Sequence, residues 1–452
     1  MVAIMVKVNL IPQPPKPLQL NEHFSAPALL DQIREDFEKI PDYRNSGQQF
    51  SLPDVLMSGL AVFGLKYPSL LKFDEQRCEE RVRANLKSLY GVAQAPCDTQ
   101  MRTVLDKVSP TELRAPFIHL HQQLQSQGVL EKYRYLGGFL VNLDGTGHFS
   151  SSKISCADCC EKQHRNGEIE YYHQLLGAVI VHPDKKQVLP LFPEPVTRQD
   201  GVSKNDCESN ASKRLLLALR EAFPQLPMMV VEDSLSADGP HINLLKKLKY
   251  NYINVVKPSD QVSLFEAVRK RLNSGAYEEF EEVDKEGIVR GYRWMNRLPF
   301  NKSHPDILVN YLDYWEIREG KEYNFSWITD LKLCRNNVYP VMRGGRGRWK
   351  IENETFNTLK HQGYQLEHNY GHGQKHLATV FGLLMMLAFL VDQVQELCCN
   401  LFNTARQQFR SKTSLWDKLK GLFKEYFVMG WESLWLAIIY GHKGGVLQPD
   451  TS

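Results

Sequence analysis

The chain has 452 residues, of which 42% are hydrophobic and 24% are charged, and its formal net charge is +3. This length accommodates two or three domains with a substantial core, and this composition excludes a disordered or fibrous chain. The mild positive charge permits a nucleic-acid partner but does not demonstrate one, so local clusters of basic residues matter more.

The start of the chain lacks the cationic region, long apolar region and cleavage site of a signal peptide. The longest largely apolar run, 377–391, spans 15 residues, which is too short to cross a bilayer and predicts a buried helix. Nine cysteines, an odd number scattered over a long chain, do not resemble a disulfide framework. We therefore expect a cytoplasmic protein without membrane contact.

The first part of the chain, residues 1–130, is predicted to be a helical domain that follows a proline-rich extended arm over residues 1–20. Ser51 as a cap and Pro53 in the first turn mark the start of one helix. Several basic residues lie in the second half of this domain, namely Arg77, Arg81, Arg83, Lys87 and Arg102. Two interpretations stay open for them, contact with DNA or an ordinary solvated face.

From Tyr135 onward the pattern is that of a mixed α/β sheet, which we assign to residues 131–260. The predicted order is three strands, a helix, a strand, a helix and a strand, which contains a crossover unit. The predicted elements are strands 135–143, 171–182 and 187–192, a helix 207–223, a strand 228–233, a helix 241–250 and a strand 251–257.

Asp144 and Asp233 each follow a predicted strand of this sheet. If the two strands are parallel neighbours, both side chains lie at the carboxyl edge of the sheet, where open α/β folds place their sites. Carboxylates brought that close repel unless a cation lies between them, and such oxygen ligands suit Mg²⁺ or Mn²⁺. The alternative is structural, with Asp144 in a turn and Asp233 capping a helix.

The region that follows alternates polar and apolar residues, which predicts antiparallel strands and an inserted β subdomain over residues 261–322. A last strand at 325–330 returns the chain to the sheet, whose second part we assign to residues 323–395. Residues 396–452 are predicted to be a helical C-terminal segment.

The stretch 343–360 begins with four cations, Arg343, Arg346, Arg348 and Lys350. Three glycines among them predict a loop, and an amphipathic helix follows from about Trp349. Its predicted buried face consists of Trp349, Phe356 and Leu359. Glu352 would lie at the edge of this face, beside the two aspartates, where cations and metal together suit an anionic substrate.

These segments resemble the DDE transposases of bacterial insertion sequences, whose catalytic domain has a ribonuclease H-like fold. The resemblance is carried by Leu143-Asp-Gly-Thr, by Val230-Val-Glu-Asp-Ser-Leu-Ser-Ala-Asp-Gly, by the stretch from Arg348 to Lys360, and by Leu366-Glu-His-Asn-Tyr-Gly-His-Gly. It extends over about 54–390, and it implies a ribonuclease H-like mixed sheet with an inserted β subdomain.

Around the third carboxylate, the family has a Tyr-x₂-Arg-x₃-Glu-x₆-Lys signature. Arg348 and Glu352 fit it, whereas Gly345 occupies the tyrosine position and Leu359 the lysine position, with Lys360 one residue further on. Glu354 is the alternative third ligand, and the Arg-x₃-Glu spacing favours Glu352.

The resemblance implies that Asp144, Asp233 and Glu352 bind two divalent ions, Mg²⁺ or Mn²⁺, for in-line phosphodiester cleavage and transfer. Arg343, Arg346, Arg348, Lys350 and Lys360 would then contact DNA phosphates. The implied partners are the terminal inverted repeats of the element, target DNA, and a second copy of the chain that joins two ends. The implied location is the bacterial cytoplasm, with action at the nucleoid.

Cys156, Cys159, His164 and His173 are residue types that bind structural zinc. No second Cys-x₂-Cys follows them, and Gly167 interrupts the loop, so a hairpin tip with free thiols is the favoured interpretation.

Three further histidines, His368, His372 and His376, recur at intervals of four residues. Gly371 and Gly373 interrupt any helix there, which predicts ordinary loop histidines.

Three functions therefore stay open. The leading one is an active transposase, the second is a metal-dependent nuclease on the same fold that only cuts, and the third is an inactive DNA-binding derivative.

Overall fold

The computed structural model describes residues 19–201, 204–441 and 448–449, so the prolines of the predicted arm lie outside the described residues. The α-helices are α1 (Ala26–Glu38), α2 (Leu52–Gly64), α3 (Leu70–Gln76), α4 (Glu80–Tyr90), α5 (Asp98–Leu105), α6 (Arg114–Ser126), α7 (Lys204–Ala222), α8 (Gly239–Lys247), α9 (Val262–Asn273), α10 (Val338–Arg346), α11 (Asn357–His361), α12 (Leu377–Cys398), α13 (Asn400–Gln407), α14 (Lys412–Glu425) and α15 (Trp431–Tyr440). The strands are β1 (Arg134–Tyr135), β2 (Gly138–Ser151), β3 (Cys160–Gln163), β4 (Ile169–Val181), β5 (Leu189–Pro190), β6 (Glu194–Val196), β7 (Met228–Glu232), β8 (Asn251–Val255), β9 (Glu278–Val283), β10 (Val289–Pro299), β11 (Leu308–Arg318), β12 (Lys321–Thr329), β13 (Tyr426–Phe427) and β14 (Gln448–Pro449).

Within the described residues, a mixed sheet of 12 strands has the order β3-β4-β2-β7-β8-β12-β11-β10-β9, with β1, β5 and β6 paired at its side. The pairs β2–β7 and β7–β8 are parallel, and the other pairs of the path are antiparallel. The predicted crossover unit is therefore present, because α7 connects the sheet to β7 and α8 connects β7 to β8.

The predicted antiparallel strands of the inserted region are present as β9 to β11. They do not form a separate sheet, because β12 pairs with β11 on one side and with β8 on the other. The sheet is thus continuous from β3 to β9, and its division into a catalytic part and a subdomain stays a prediction.

Helices from both ends of the chain pack into one layer around α12. Helix α12 contacts α1, α2 and α5 from the N-terminal part, α13 from the C-terminal part, and strands β2, β4 and β5 of the sheet. Asn85 on α4 also donates hydrogen bonds to the carbonyls of Phe423 and Tyr426. These bonds connect the N-terminal helices to the C-terminal helices.

Helix α12 is longer than the apolar run of 15 residues from which it was predicted. It has 22 residues and is long and apolar enough to cross a membrane by length and composition, but 94% of its most apolar window is buried inside the protein. The prediction of a buried helix is confirmed. The evidence for it is the packing of the helix inside the protein, because its length alone would allow it to cross a membrane.

Two predictions about the stretch 343–360 are wrong. Residues up to Arg346 form α10 and not a loop, because the glycines allow close packing: a Cβ at Gly345 would lie 2.4 Å from the indole nitrogen of Trp327. Trp349 is 44% exposed, whereas Phe356 and Leu359 are buried as predicted. A π-helical turn, Ile351–Phe356, rotates the face of this segment relative to a regular helix.

Candidate functional site

Asp144 lies within strand β2, which continues to Ser151, so the predicted turn at Asp144 is absent. Its side chain lies beside Asp233, because β2 and β7 are parallel and Asn142 is paired with Val231 two residues earlier. Asp233 follows the last residue of β7, and its Oδ1 accepts a hydrogen bond from the Leu235 N–H. Asp233 therefore caps a short 3₁₀ turn, as the structural alternative expected, and also lies at the sheet edge.

A third carboxylate, Glu208 on α7, lines the same cavity as Asp144 and Asp233. Glu208 accepts a hydrogen bond from the Gln174 amide of β4, which orients it from the neighbouring strand. We call Asp144, Asp233 and Glu208 the acidic edge. The cavity beside them has a volume of about 100 Å³.

Burial raises the pKa of Asp144 above its ordinary value, and the neighbouring charges of Asp233 and Glu208 raise it further. The Arg348 guanidinium, 3.1 Å from Oδ2 of Asp144, and the Gly145 backbone N–H lower the pKa and offset part of this effect. Carboxylates that line one cavity repel one another, which a cation would offset, and their oxygens match the ligand preference of Mg²⁺ and Mn²⁺.

A fourth carboxylate, Glu232, lines the same cavity but is held in a buried pair. Glu232, the last residue of β7, accepts hydrogen bonds from the His241 imidazole at 2.6 Å and from the Ser212 hydroxyl at 3.2 Å. Its oxygens are occupied by these partners, so Glu232 fixes the end of β7 rather than adding a free carboxylate to the cavity.

Glu352 lies on the π-helical turn, which packs against the sheet beside Asp144. A Cβ at Gly177, the residue paired with Asp144, would contact Phe356 at 3.0 Å and Ile351 at 3.6 Å. The Glu352 side chain is exposed, and among the described residues it does not line the cavity of the acidic edge. Its role as third ligand stays a prediction.

The alternative ligand, Glu354, is half-buried on the same turn. Its charge acts on the Lys350 ammonium, whose pKa is lowered by burial and partly restored by Glu354. Glu354 therefore belongs to the surroundings of Lys350.

A cationic groove lies next to the π-helical turn, with a volume of about 220 Å³. In the part of the chain that the structure describes, its lining contains five cationic side chains and one carboxylate, Glu316. The cations are Arg290, Arg318, Arg343, Arg346 and Lys350. Three predicted DNA contacts thus share one groove, and the sequence did not indicate that Arg290 and Arg318 join them from β10 and β11.

Each predicted DNA-binding side chain also has a partner within the protein. Arg343 pairs with Asp184, Arg346 with Glu316, Arg348 with Asp144 and Lys360 with Glu367, while Lys350 donates to the Lys185 carbonyl. Arg348 and Lys360 do not line the groove. Arg348 instead faces the acidic edge.

A second cluster is formed by Cys156, Cys159, His173 and His372, whose ligand atoms all lie within 4.8 Å of one another. We call it the Cys/His cluster. Three of its members were considered from the sequence, but His164 is exposed and pairs with Glu170 instead. His372, interpreted as an ordinary loop histidine, takes the fourth position.

Two residues of these sites were missed. Glu208 lies in a helix that the sequence predicted, but nothing in its spacing marks it as a partner of Asp144. His372 is separated from His173 by 199 residues. The Gly371-His-Gly sequence, which indicates a tightly turning backbone, was the available signal, because a glycine-flanked histidine can approach a strand closely.

No family model matches the chain, and no curated protein sequence matches it. Among solved structures, the cryo-EM structure of a piggyBac transposase synaptic complex with hairpin DNA is similar, with a TM-score of 0.39 and 11% sequence identity. The similarity covers 88% of this chain and 77% of that chain.

Proposed function

We propose that this chain is a DNA transposase of the DDE type, encoded by a bacterial insertion sequence, that cleaves the ends of its element and joins them to target DNA. The observation that carries the proposal is the juxtaposition of Asp144 and Asp233 at the edge of two parallel strands, as the resemblance implies. The resemblance also supports a ribonuclease H-like catalytic domain with an inserted β subdomain.

The acidic edge would bind Mg²⁺ or Mn²⁺ through Asp144 and Asp233, with Glu208 or Glu352 as the third ligand. Divalent ions at such a site activate the attacking oxygen and stabilise the leaving oxygen of a phosphodiester. Geometry favours Glu208, which lines the cavity, and the Arg-x₃-Glu spacing favours Glu352.

The side chains of the protein would position the DNA. Arg348, held beside Asp144, would contact the phosphate at the reacting position, and the cationic groove would hold the backbone further along. The partners would be the terminal inverted repeats and target DNA. Because two ends must be joined, the active form on DNA would be a homodimer.

A cleavage assay on a plasmid that carries the DNA flanking the gene tests this function. We expect Mg²⁺-dependent nicking by the wild type and none by Asp233→Ala. Equal cleavage by both proteins would remove Asp233 from the mechanism. A substrate with a precut 3′-OH end separates the two enzymatic functions, because a nuclease that only cuts will not join it to a second DNA.

The third ligand is decided by comparing Glu208→Gln with Glu352→Gln in the same assay. Each substitution removes one charge and keeps the side-chain size. The variant that loses cleavage while it still binds DNA identifies the ligand. Full activity of both variants would contradict a site with three carboxylates.

A further inference from the structure

Five of the six distances among the four ligand atoms of the Cys/His cluster are 3.2–3.8 Å, and the sixth is within 4.8 Å. The sulfurs of Cys156 and Cys159 are 3.8 Å apart, and each lies 3.5 Å from Nε2 of His173. Nε2 of His372 lies 3.2 Å from the Cys159 sulfur and 3.2 Å from Nε2 of His173. Bonds of about 2.3 Å to sulfur and about 2.0–2.1 Å to nitrogen predict about 3.8 Å between the sulfurs, about 3.6 Å between sulfur and nitrogen and about 3.3 Å between the nitrogens. The distance between Cys159 and His372 is shorter than this prediction by about 0.4 Å, and the other four distances agree with it to about 0.1 Å.

We propose that Cys156, Cys159, His173 and His372 bind one structural zinc ion. Two thiolates and two imidazoles in tetrahedral order are a donor set of structural zinc sites. The separation of the sulfurs excludes a disulfide, which would bring them to about 2.05 Å. A two-iron cluster would hold the thiolate pair apart from the imidazole pair, whereas here both nitrogens lie next to a sulfur.

The surroundings of His372 fix the ring in the orientation that a ligand requires. Its Nδ1–H donates to the Gly373 carbonyl at 2.7 Å, which leaves the lone pair of Nε2 directed into the cluster. Ligating histidines almost always use their second nitrogen in this way. The Phe149 ring, with its centroid 4.7 Å from that of His372, covers the buried site.

The ligands come from three separate segments of the chain. Cys156 and Cys159 lie in the connection between β2 and β3, His173 lies on β4, and His372 lies between α11 and α12. Zinc would therefore fasten the segment 362–376 to the sheet. This segment follows α11, which continues directly from the turn that carries Glu352, so the ion would also limit the movement of that turn relative to β4.

The segment 362–376 is also bound by a carboxylate of the helical layer. The carboxylate of Asp106, at the end of α5, accepts hydrogen bonds from four consecutive backbone N–H groups, those of 374–377. Burial alone would raise the pKa of Asp106, but these bonds hold it below its ordinary value. The segment is thus tied to the helical layer by Asp106, and to the sheet by the Cys/His cluster.

Metal analysis of the purified full-length chain by mass spectrometry tests the proposal. We expect one zinc per chain after dialysis. Cys159→Ser and His372→Ala should bind zinc at least about tenfold more weakly in competition with a chelator, and so lose more of it on dialysis, because even changes to groups that only orient a ligand cost 10- to 100-fold in affinity. His164→Ala and His368→Ala are matched controls, since both histidines are exposed neighbours outside the cluster, and both variants should keep their zinc.

Cobalt substitution of the wild-type chain gives a readout that does not depend on the folding of a variant. Co²⁺ bound by two thiolates and two imidazoles should show the intense visible bands of a tetrahedral site, together with sulfur-to-metal charge transfer. A wild-type chain that binds neither zinc nor cobalt after dialysis overturns the proposal. Equal zinc in the wild type and in both ligand variants also overturns it.

Discussion

The acidic edge and the Cys/His cluster are neighbours on the sheet, since Asp144 lies on β2 and His173 on the adjacent β4, but the two sites are built in opposite ways. Asp144 is paired with Gly177, and His173 is paired with Phe149 further along, which separates the two sites by roughly 13 Å along the strands. The donors of one are hard oxygens around a cavity, and those of the other are sulfur and nitrogen atoms in direct contact.

The difference follows from charge. The carboxylates of the acidic edge repel one another, and in the part of the chain that is described only the Cys/His cluster has all its ligand atoms within 4.8 Å. Half of the donors of the cluster are imidazoles, and burial lowers the pKa of His173 to about 3, so its ring is uncharged, whereas the two thiols lose their protons only when a metal binds. We infer that the cluster is a structural site formed on folding, whereas the edge is an exchangeable site that faces substrate.

The largest expected contrast is in the response to a chelator. Brief treatment with EDTA should abolish Mg²⁺-dependent cleavage, and added Mg²⁺ should restore it, while zinc stays bound. Structural zinc is held by about 10–16 kcal/mol, far more than magnesium on carboxylates. Parallel measurement of cleavage and zinc content checks this. Loss of zinc at the same rate as activity would mean that the two sites do not differ in this way.

The substitution Asp144→Asn distinguishes a catalytic role of Asp144 from a structural one. We expect cleavage to fall on the order of 100- to 1,000-fold, the usual cost of removing one group that stabilises a transition state. Zinc content and the midpoint of thermal unfolding should not fall, because the change relieves repulsion with Asp233 and Glu208. Cleavage rates, metal analysis and calorimetry provide the three measurements. A variant that unfolds early would show that Asp144 has a structural role instead.

The elements predicted correctly from the sequence are those that depend on residues close together in the chain. The strand that ends beside Asp233 and the buried run that became α12 follow from apolar patterns and strand lengths, whereas β2 continues past Asp144 to Ser151. The helix α10 was missed because glycine propensity predicts a loop, whereas here the glycines let the helix approach Trp327 closely.

The parts of the sites that depend on distant contacts were not predictable. His372 reaches His173 across 199 residues, and Glu208 reaches Asp144 only because α7 crosses the edge of the sheet. Trp349 was assigned to a buried face under regular helical periodicity, which the π-helical turn after it breaks. The additional arginines of the groove come from β10 and β11, which no spacing in the stretch 343–360 could indicate.

Gly345→Val tests how the acidic edge is held in place. Its Cβ would lie 2.4 Å from the Trp327 indole nitrogen, so we expect a loss of about 1–3 kcal/mol in the free energy of unfolding. Cleavage should fall with it, because α10 leads directly to Arg348, whereas zinc content should not change. Gly421→Ala on α14 is the control, since nothing lies within 4 Å of its Cβ. Gly421→Ala should leave the free energy of unfolding unchanged or raise it by up to about 1 kcal/mol.

Equal denaturant midpoints for Gly345→Val and Gly421→Ala would contradict the close packing of α10.

The smallest expected effect is that of a single groove cation on DNA binding. Arg343 pairs with Asp184, which is largely exposed, and such surface pairs contribute little, so the guanidinium can exchange this partner for a phosphate at low cost. Arg343→Gln should weaken binding by a similar factor for all DNA sequences and reduce the slope of log affinity against log salt by about one.

Arg134→Gln is the matched control, because Arg134 forms a comparable exposed pair with Glu131 outside the groove. Titrations of labelled duplex at several salt concentrations measure both slopes. An unchanged slope in Arg343→Gln would remove this residue from the phosphate contacts, and an equal change in both variants would show that the groove has no special part in binding.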